Sequence, residues 1–378
     1  MTQTENGLAL LLDAFHTMED PRSGHGRVHT LDTILMVAIV AIICGADDWV
    51  EVESFGKSKI DFFQRHLGVA LRGIPSHDTF GRVFSLIDTE AFEHCFVSWS
   101  SQLCEWDEKL INIDGKTLRR SMDGENRAAH MVSAWANRNR LVLGQIRTAD
   151  KSNEITAIPQ LLGLLAIQGA IITIDAMGAQ TAIAKQIIDS QADYVVGVKE
   201  NQKNLEEEVR ESFYKVGAKH KAQTHQMIEV DHGRIETRKC YAMEVEGYLT
   251  DKLIGNWEGL QTMILIESEV EYKNGKKAGQ VMKEQRLYIS SLPAQAERLN
   301  HAIRSHWGIE TSLHWVLDVA FREDDNRTRI GNAPANLAIM RHIALNKLRR
   351  ETSTKIGVKA KRKKAGWDHS YLLKVLRA

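Results

Sequence analysis

Two aspartates stand out because each closes an apolar run. Asp114 ends Leu110–Asp114 in LINIDGKTLRR, and Asp175 ends Ala170–Asp175 around IITIDAMGAQ. A third acid, Glu310, lies far downstream in the helical pattern HWGIETSLHWVLDVAF. Strand-end carboxylates suit a magnesium site, because that ion prefers oxygen ligands and keeps several waters, so a few carboxylates suffice. Two divalent ions about 3.5–4 Å apart align a nucleophile with a leaving oxygen and neutralise charge at phosphorus. Asp114 is the natural bridging ligand, Asp175 reaches the site from the adjacent strand, and Glu310 completes it from a helix over the sheet. The trio points to cutting of phosphodiester bonds, with Asp318 and Glu323 as rivals to Glu310 for third ligand.

The neighbours of these acids fit phosphate. Lys116, Arg119 and Arg120 flank Asp114 and read as phosphate contacts, with a solvated basic turn as an equal alternative. Lys199, closing a later strand, joins them. His306, Glu310 and His314 share one helix face at i, i+4 and i+8. That face lacks HExxH and a cysteine partner, so it reads as polar contact to phosphate through His306 or Arg304, not as zinc. Trp307 and Trp315 read as core packing ahead of base stacking. Gly115–Thr117 imitates the end of a phosphate loop but fails, because the earlier glycine would fall at Leu110.

These residues need a sheet to hold them. Short aliphatic runs at Leu110–Asp114, Met131–Ala136 and Leu141–Thr148 predict three antiparallel strands. A helix over Glu154–Ala166, a strand over Ala170–Asp175, a helix over Thr181–Ser190 and a strand over Tyr194–Lys199 then alternate as parallel crossovers do. The order is that of a ribonuclease-H-like mixed sheet, an α/β core. Before it, residues 1–105 show helical spacing, with Ser76 or Asp78 capping a helix that starts near Thr79, and could touch DNA. Between the two parts of the core, 106–200 and 285–350, residues 201–284 read as a β-rich insertion. Gln285–Ser291 rejoins the sheet, and one long helix over Ala294–Phe321 carries Glu310. Residues 351–378 form a basic tail whose cluster, Lys359–Lys364, is solvated or attracts DNA nonspecifically.

With 49 basic and 49 acidic residues among 378, there is no global pull toward nucleic acid, so any DNA contact must be local. The four cysteines form no CxxC pair and read as reduced thiols in a cytoplasmic protein. The N-terminus has no signal-peptide pattern, and the apolar run Ile34–Cys44 is too short to span a bilayer, which takes about 20 residues. No membrane partner is expected.

Several stretches together resemble the DDE transposases of the ISAs1 insertion-sequence family, including the bacterial H-repeat-associated proteins. They are Asp20–Arg22, Gly45–Trp49 and Pro75–Phe80 in the N-terminal part, then Ile113–Arg119, Lys151–Pro159, Thr173–Gly178 and His306–Val319. The resemblance covers essentially the full length. It implies that Asp114, Asp175 and Glu310 are the catalytic, metal-binding triad, using two Mg2+ or Mn2+ ions. It also implies double-stranded DNA partners, the element ends and the target, and a homodimer in the synaptic complex. Water activated at the triad would nick an element end, and the freed 3′ hydroxyl would attack target DNA. One departure is visible: related transposases carry tyrosine, arginine and lysine around the glutamate where this chain has Ile303, His306 and Leu317. Arg304, His306 and His314 are the expected replacements as DNA contacts. An inactive or domesticated relative that only binds DNA is the alternative, and a structure-selective nuclease a third.

Overall fold

The computed structural model describes residues 7–23, 27–69, 71–104, 110–122, 128–148, 154–215, 218–231 and 233–378; Lys151, Ser152 and Asn153 of the expected motif lie outside them. Among the described residues six helices come first: α1 (Gly7–Phe15), α2 (Leu31–Ile43), α3 (Trp49–Ser58), α4 (Ile60–His66), α5 (His77–Leu86) and α6 (Thr89–Gln102). Four of them begin at a short polar side chain that accepts an N–H three residues on, which satisfies a donor the helix itself cannot pair. These caps are Thr30, Asp48, Ser76 and Asp88. Ser76 is therefore the cap of α5, which starts at His77 and not near Thr79. The apolar run becomes α2, buried along nearly its whole length, and among the described residues no helix is long and apolar enough to cross a membrane.

The strands are β1 (Leu110–Thr117), β2 (His130–Ala136), β3 (Leu141–Arg147), β4 (Ile171–Ile174), β5 (Asp193–Val198), β6 (Gln223–Asp231), β7 (Arg234–Glu244), β8 (Thr262–Tyr272) and β9 (Val281–Ser290). All nine lie in one mixed sheet in the order β3-β2-β1-β4-β5-β9-β8-β7-β6. Neighbours β1, β4 and β5 run parallel, and every other pairing is antiparallel. Strand β9 joins the halves through Val195↔Ser290 to Val198↔Leu287, so β6 to β9 extend the same sheet. Helices α7 (Glu154–Leu164), α8 (Thr181–Asp189) and α9 (Lys203–Tyr214) cover one face around Ile113, Ile172, Ile183 and Val209. Two short helices, α10 (Ala218–Lys221) and α11 (Asp251–Asn256), flank the distal strands.

The other face is crossed by α12 (Ala296–Gly308), which packs Leu299, Ala302 and Ile303 on Val195 and Ile264. The long helix expected over Ala294–Phe321 is not uniform. A π-helical turn at Ile309–His314 separates α12 from α13 (Trp315–Phe321). Its signature is the Trp315 N–H donating to the carbonyl of Glu310, five residues back. Arg349 supports the turn: its guanidinium donates to the Ser312 carbonyl and lies 4.5 Å from the Trp135 ring centre.

Helices α14 (Ala333–Arg350), α15 (Val358–Trp367) and α16 (His369–Arg377) close the chain and share one apolar core with α1 to α6. The basic stretch Lys359–Lys364 thus lies in a packed helix, and two of its cations point inward. Arg362 donates to the carbonyls of Ile42 and Ala46 and pairs with Asp47 at 2.9 Å. The Ile42 carbonyl is in the last turn of α2, where the helix runs out of N–H groups to offer, and that of Ala46 is in the loop just beyond. Lys361 does the same for the end of α14 through Leu348 and Glu351.

Candidate active site

The register explains how the two aspartates meet. Ile113 of β1 pairs with Ile174 of the parallel strand β4, so Asp114 and Asp175 are the next residues on neighbouring strands. Asp175 follows the carboxyl end of β4, and Asp114 lies where the parallel pairing of β1 stops, three residues before β1 itself ends at Thr117; open α/β sheets bind ligands beyond such carboxyl ends. Asp175 is fixed as its chain leaves the sheet, its Oδ1 accepting the N–H groups of Met177 at 2.9 Å and Gly178 at 3.3 Å. Gly178 is there for space: a Cβ would come within 2.4 Å of Ile174. Asp114 looks toward the π turn, where His314 Nδ1 stands 3.5 Å from its Oδ2.

Glu310 sits in the first turn of the π segment and is exposed. The approach of α12 depends on Gly308, since a Cβ there would lie 2.6 Å from Asn137 Oδ1 in the β2–β3 turn. The helix is tied down by a polar chain, in which Asn112 Nδ2 donates to Thr173 Oγ1 at 2.6 Å and Thr173 Oγ1 meets His306 Nδ1 at 2.9 Å.

A fourth carboxylate belongs to this group. Glu154, the first residue of α7, reaches over Gly115, and its Oε1 lies 2.9 Å from His130 Nε2. Its charge bears on both aspartates. Burial, then Glu154, Asp175 and Glu310, push the Asp114 carboxyl up to about 7 against the opposing Gly115 N–H. Burial and Glu154 likewise raise Asp175, while its two backbone donors and Lys199 pull it down. Carboxylates crowded in low dielectric resist sharing so much negative charge. Glu154 lies within Lys151–Pro159, where its spacing assigns it no role in the sequence; the glycine beside Asp114 is the available clue.

The expected phosphate contacts divide. Lys116 is nearly buried, with its ammonium held by Asp318, by Glu323 at 2.8 Å and by Asp324 at 4.0 Å. Asp318 and Glu323, the rivals to Glu310, are thereby engaged, and Glu323 is further paired with Arg341 at 3.7 Å. His306 and His314 carry no charge near neutral pH. Burial depresses each to about 4, helped by Arg286 at His306 and by Lys116 at His314. They can only donate or accept hydrogen bonds. Arg304 is paired with Glu229 at 2.7 Å. Lys199 is exposed beside Asp175. Arg119 and Arg120 are exposed too, in loose pairs with Asp324 and Asp325 at 3.2 and 3.7 Å.

The two tryptophans do not share a fate. Trp307 stacks with Arg286 at 4.5 Å, whereas Trp315 is 61% exposed, so the packing expected of it does not occur. Its position follows from the π turn, which swings the following residues round by one.

The donor set fits a hard divalent cation: four carboxylates, no thiolate, and two imidazoles, His306 and His314, that burial keeps uncharged. Among the described residues no three His, Cys, Asp or Glu side chains stand close enough to hold an ion as they are, so binding requires them to draw together.

The comparisons with known proteins show the family to which the chain belongs. Residues 105–347 match the family described as "Transposase DDE domain", and residues 12–100 match its companion, "DDE_Tnp_1-associated". The chain is 43% identical over 370 residues to "Putative transposase YncI" of Escherichia coli O157:H7, covering 97% of this chain and 94% of that one. It is 40% identical over 373 residues to "H repeat-associated putative transposase YhhI" of Escherichia coli (strain K12), covering 98% of each. A solved piggyBac transposase synaptic complex with hairpin DNA is a remote likeness, with TM-score 0.44 and 13% identity over 99% of this chain and 80% of that one.

Proposed function

Because the chain belongs to the DDE transposase family, in its H-repeat-associated branch, we propose that it is a working transposase of an insertion sequence, cutting the element's ends and joining them to target DNA. The observation that carries this reading is the meeting of Asp114 and Asp175 on adjacent parallel strands, with Glu310 on the π turn and its charge felt at Asp114. The order β3-β2-β1-β4-β5 supports a ribonuclease-H-like core in two parts, 106–200 and 285–350, with 201–284 as the insertion and 1–105 as a helical domain.

In this reading Asp114, Asp175 and Glu310 hold Mg2+ or Mn2+, two ions in the active complex. When bound, such ions acidify the attacking water or hydroxyl and neutralise charge on the phosphate. The protein's share is alignment and electrostatics. Two strand ends and their backbone donors fix the aspartates, and His314 steadies Asp114. Lys199, Arg119 and Arg120 supply positive charge to the DNA backbone, and the neutral His306 and His314 offer hydrogen bonds. Trp315, exposed one turn beyond Glu310, offers a face for stacking on a base. Duplex ends and target DNA are the partners, a dimer brings two ends together, and the protein works in the cytoplasm.

The test is strand transfer with Asp114→Asn and Glu310→Gln in magnesium. Both should lose joined product while still binding element ends in EDTA. Full joining by either variant would overturn the assignment. Tight end binding by the wild type without cleavage would make the protein a DNA-binding relative instead.

A further inference from the structure

Glu154 lies on the opposite side of the sheet from Glu310. Asp114 and Gly115 alternate across β1, as neighbouring strand residues must. Asp114 faces His314 of the α12–α13 layer, and Gly115 faces Glu154 of the α7 layer. A Cβ at position 115 would stand 2.1 Å from Glu154 Oε1 and 2.5 Å from His130 Nε2. Only a glycine lets that carboxylate lie against the backbone beside Asp114. Glycine inside a strand is costly and commonly marks such a close approach.

Glu154 is also held. His130 pairs with Thr117 in the β1–β2 register, and Thr117 Oγ1 lies 2.8 Å from His130 Nδ1 while His130 Nε2 lies 2.9 Å from Glu154 Oε1. Both ring nitrogens are therefore occupied, and the imidazole's orientation is fixed from β1. A carboxylate steadied through an outer hydrogen-bonded group is a recurrent arrangement around metal ligands. An ion pair that merely stapled the start of α7 would not need the strand beside Asp114 to be emptied of its side chain.

We propose that Glu154 is a fourth carboxylate of the same centre, a ligand for the divalent cation, with His130 as its positioning residue. This rests on the metal-dependent reading above. The two glutamates then bracket the aspartates from opposite faces of the sheet. Four carboxylates balance the four positive charges of two divalent ions before DNA arrives, where three would leave one charge over.

The experiment is Mn2+ titration of the full chain without DNA, with free Mn2+ read by electron paramagnetic resonance and thermal unfolding checking each fold. Wild type should bind the ion, and Glu154→Gln should weaken binding by about tenfold or more, with His130→Gln about tenfold weaker. Gly115→Ala provides an independent route, because it keeps every carboxylate yet displaces Glu154, and it should show the same loss. Wild-type affinity and stoichiometry in Glu154→Gln, or in Gly115→Ala should Glu154→Gln not fold, would overturn the assignment of Glu154 and leave the triad standing. A wild-type chain that binds no Mn2+ would overturn both this inference and the metal-dependent reading.

Discussion

Replacing Asp114 with asparagine should make the metal-free protein more stable, by an amount that depends on pH. The carboxyl is lifted from 3.8 to about 7 by burial and by the charges of Glu154, Asp175 and Glu310. A raised value means that the native state holds the proton more tightly than the unfolded chain. Below 3.8 both states are protonated and the environment costs nothing. As pH rises from there to about 7, the unfolded chain ionises first, and native stability falls until the native group ionises too. The lift of about three units corresponds to about 4 kcal/mol at pH 8, and to about 2 kcal/mol at pH 5 where only part of the window has been crossed. Asparagine keeps the shape without the charge, so Asp114→Asn should recover most of that difference. Urea denaturation in EDTA at both pH values measures it. A variant less stable than wild type at pH 8, or a gain that does not shrink at pH 5, would refute the crowding of charge at Asp114.

Three further outcomes are expected. Lys116→Ala strips the buried Glu323 of its nearest cation and should cost about 3–5 kcal/mol in chemical denaturation, with a loss under about 1 kcal/mol contradicting the buried-pair reading. Gly308→Ala brings a Cβ to 2.6 Å from Asn137 Oδ1 and should cost about 1–3 kcal/mol, most of it returned by Asn137→Ala in the double variant. Arg119→Ala and Lys199→Ala should each lower the salt slope of DNA binding by about one, as the loss of a phosphate contact does. Unchanged slopes would remove those residues from the interface.

What the sequence could reveal followed the range over which each feature is decided. Asp114 and Asp175 were legible because an apolar run ending in an acid is a local pattern, and parallel pairing brings such ends together. The alternation of helix and strand from Glu154 to Val198 was legible for the same reason, as were the helices before residue 105. Glu154 was not, because its importance arises from a gap at Gly115 on another element. The π turn was hidden because it differs from an α-helix by one residue per turn, and that residue sends Trp315 to solvent. Lys116 looked like a phosphate ligand until Glu323, 207 residues away, proved to be its partner. His306 and His314 read as polar contacts to phosphate, and the burial that leaves them uncharged is not visible in a sequence. Lys361 and Arg362 looked solvated because the orphan carbonyls they satisfy, at the ends of α14 and α2, belong to helices elsewhere in the chain.

The proposed function has this chain join DNA at a centre built on Asp114, Asp175 and Glu310. It is tested most directly by incubating a labelled duplex bearing the flanking element's ends with wild type and with Asp175→Ala, in magnesium or manganese and in EDTA. Joined product that requires the metal and vanishes with Asp175→Ala is the expected result. Joined product made equally well by Asp175→Ala, or made by the wild type in EDTA, would contradict it.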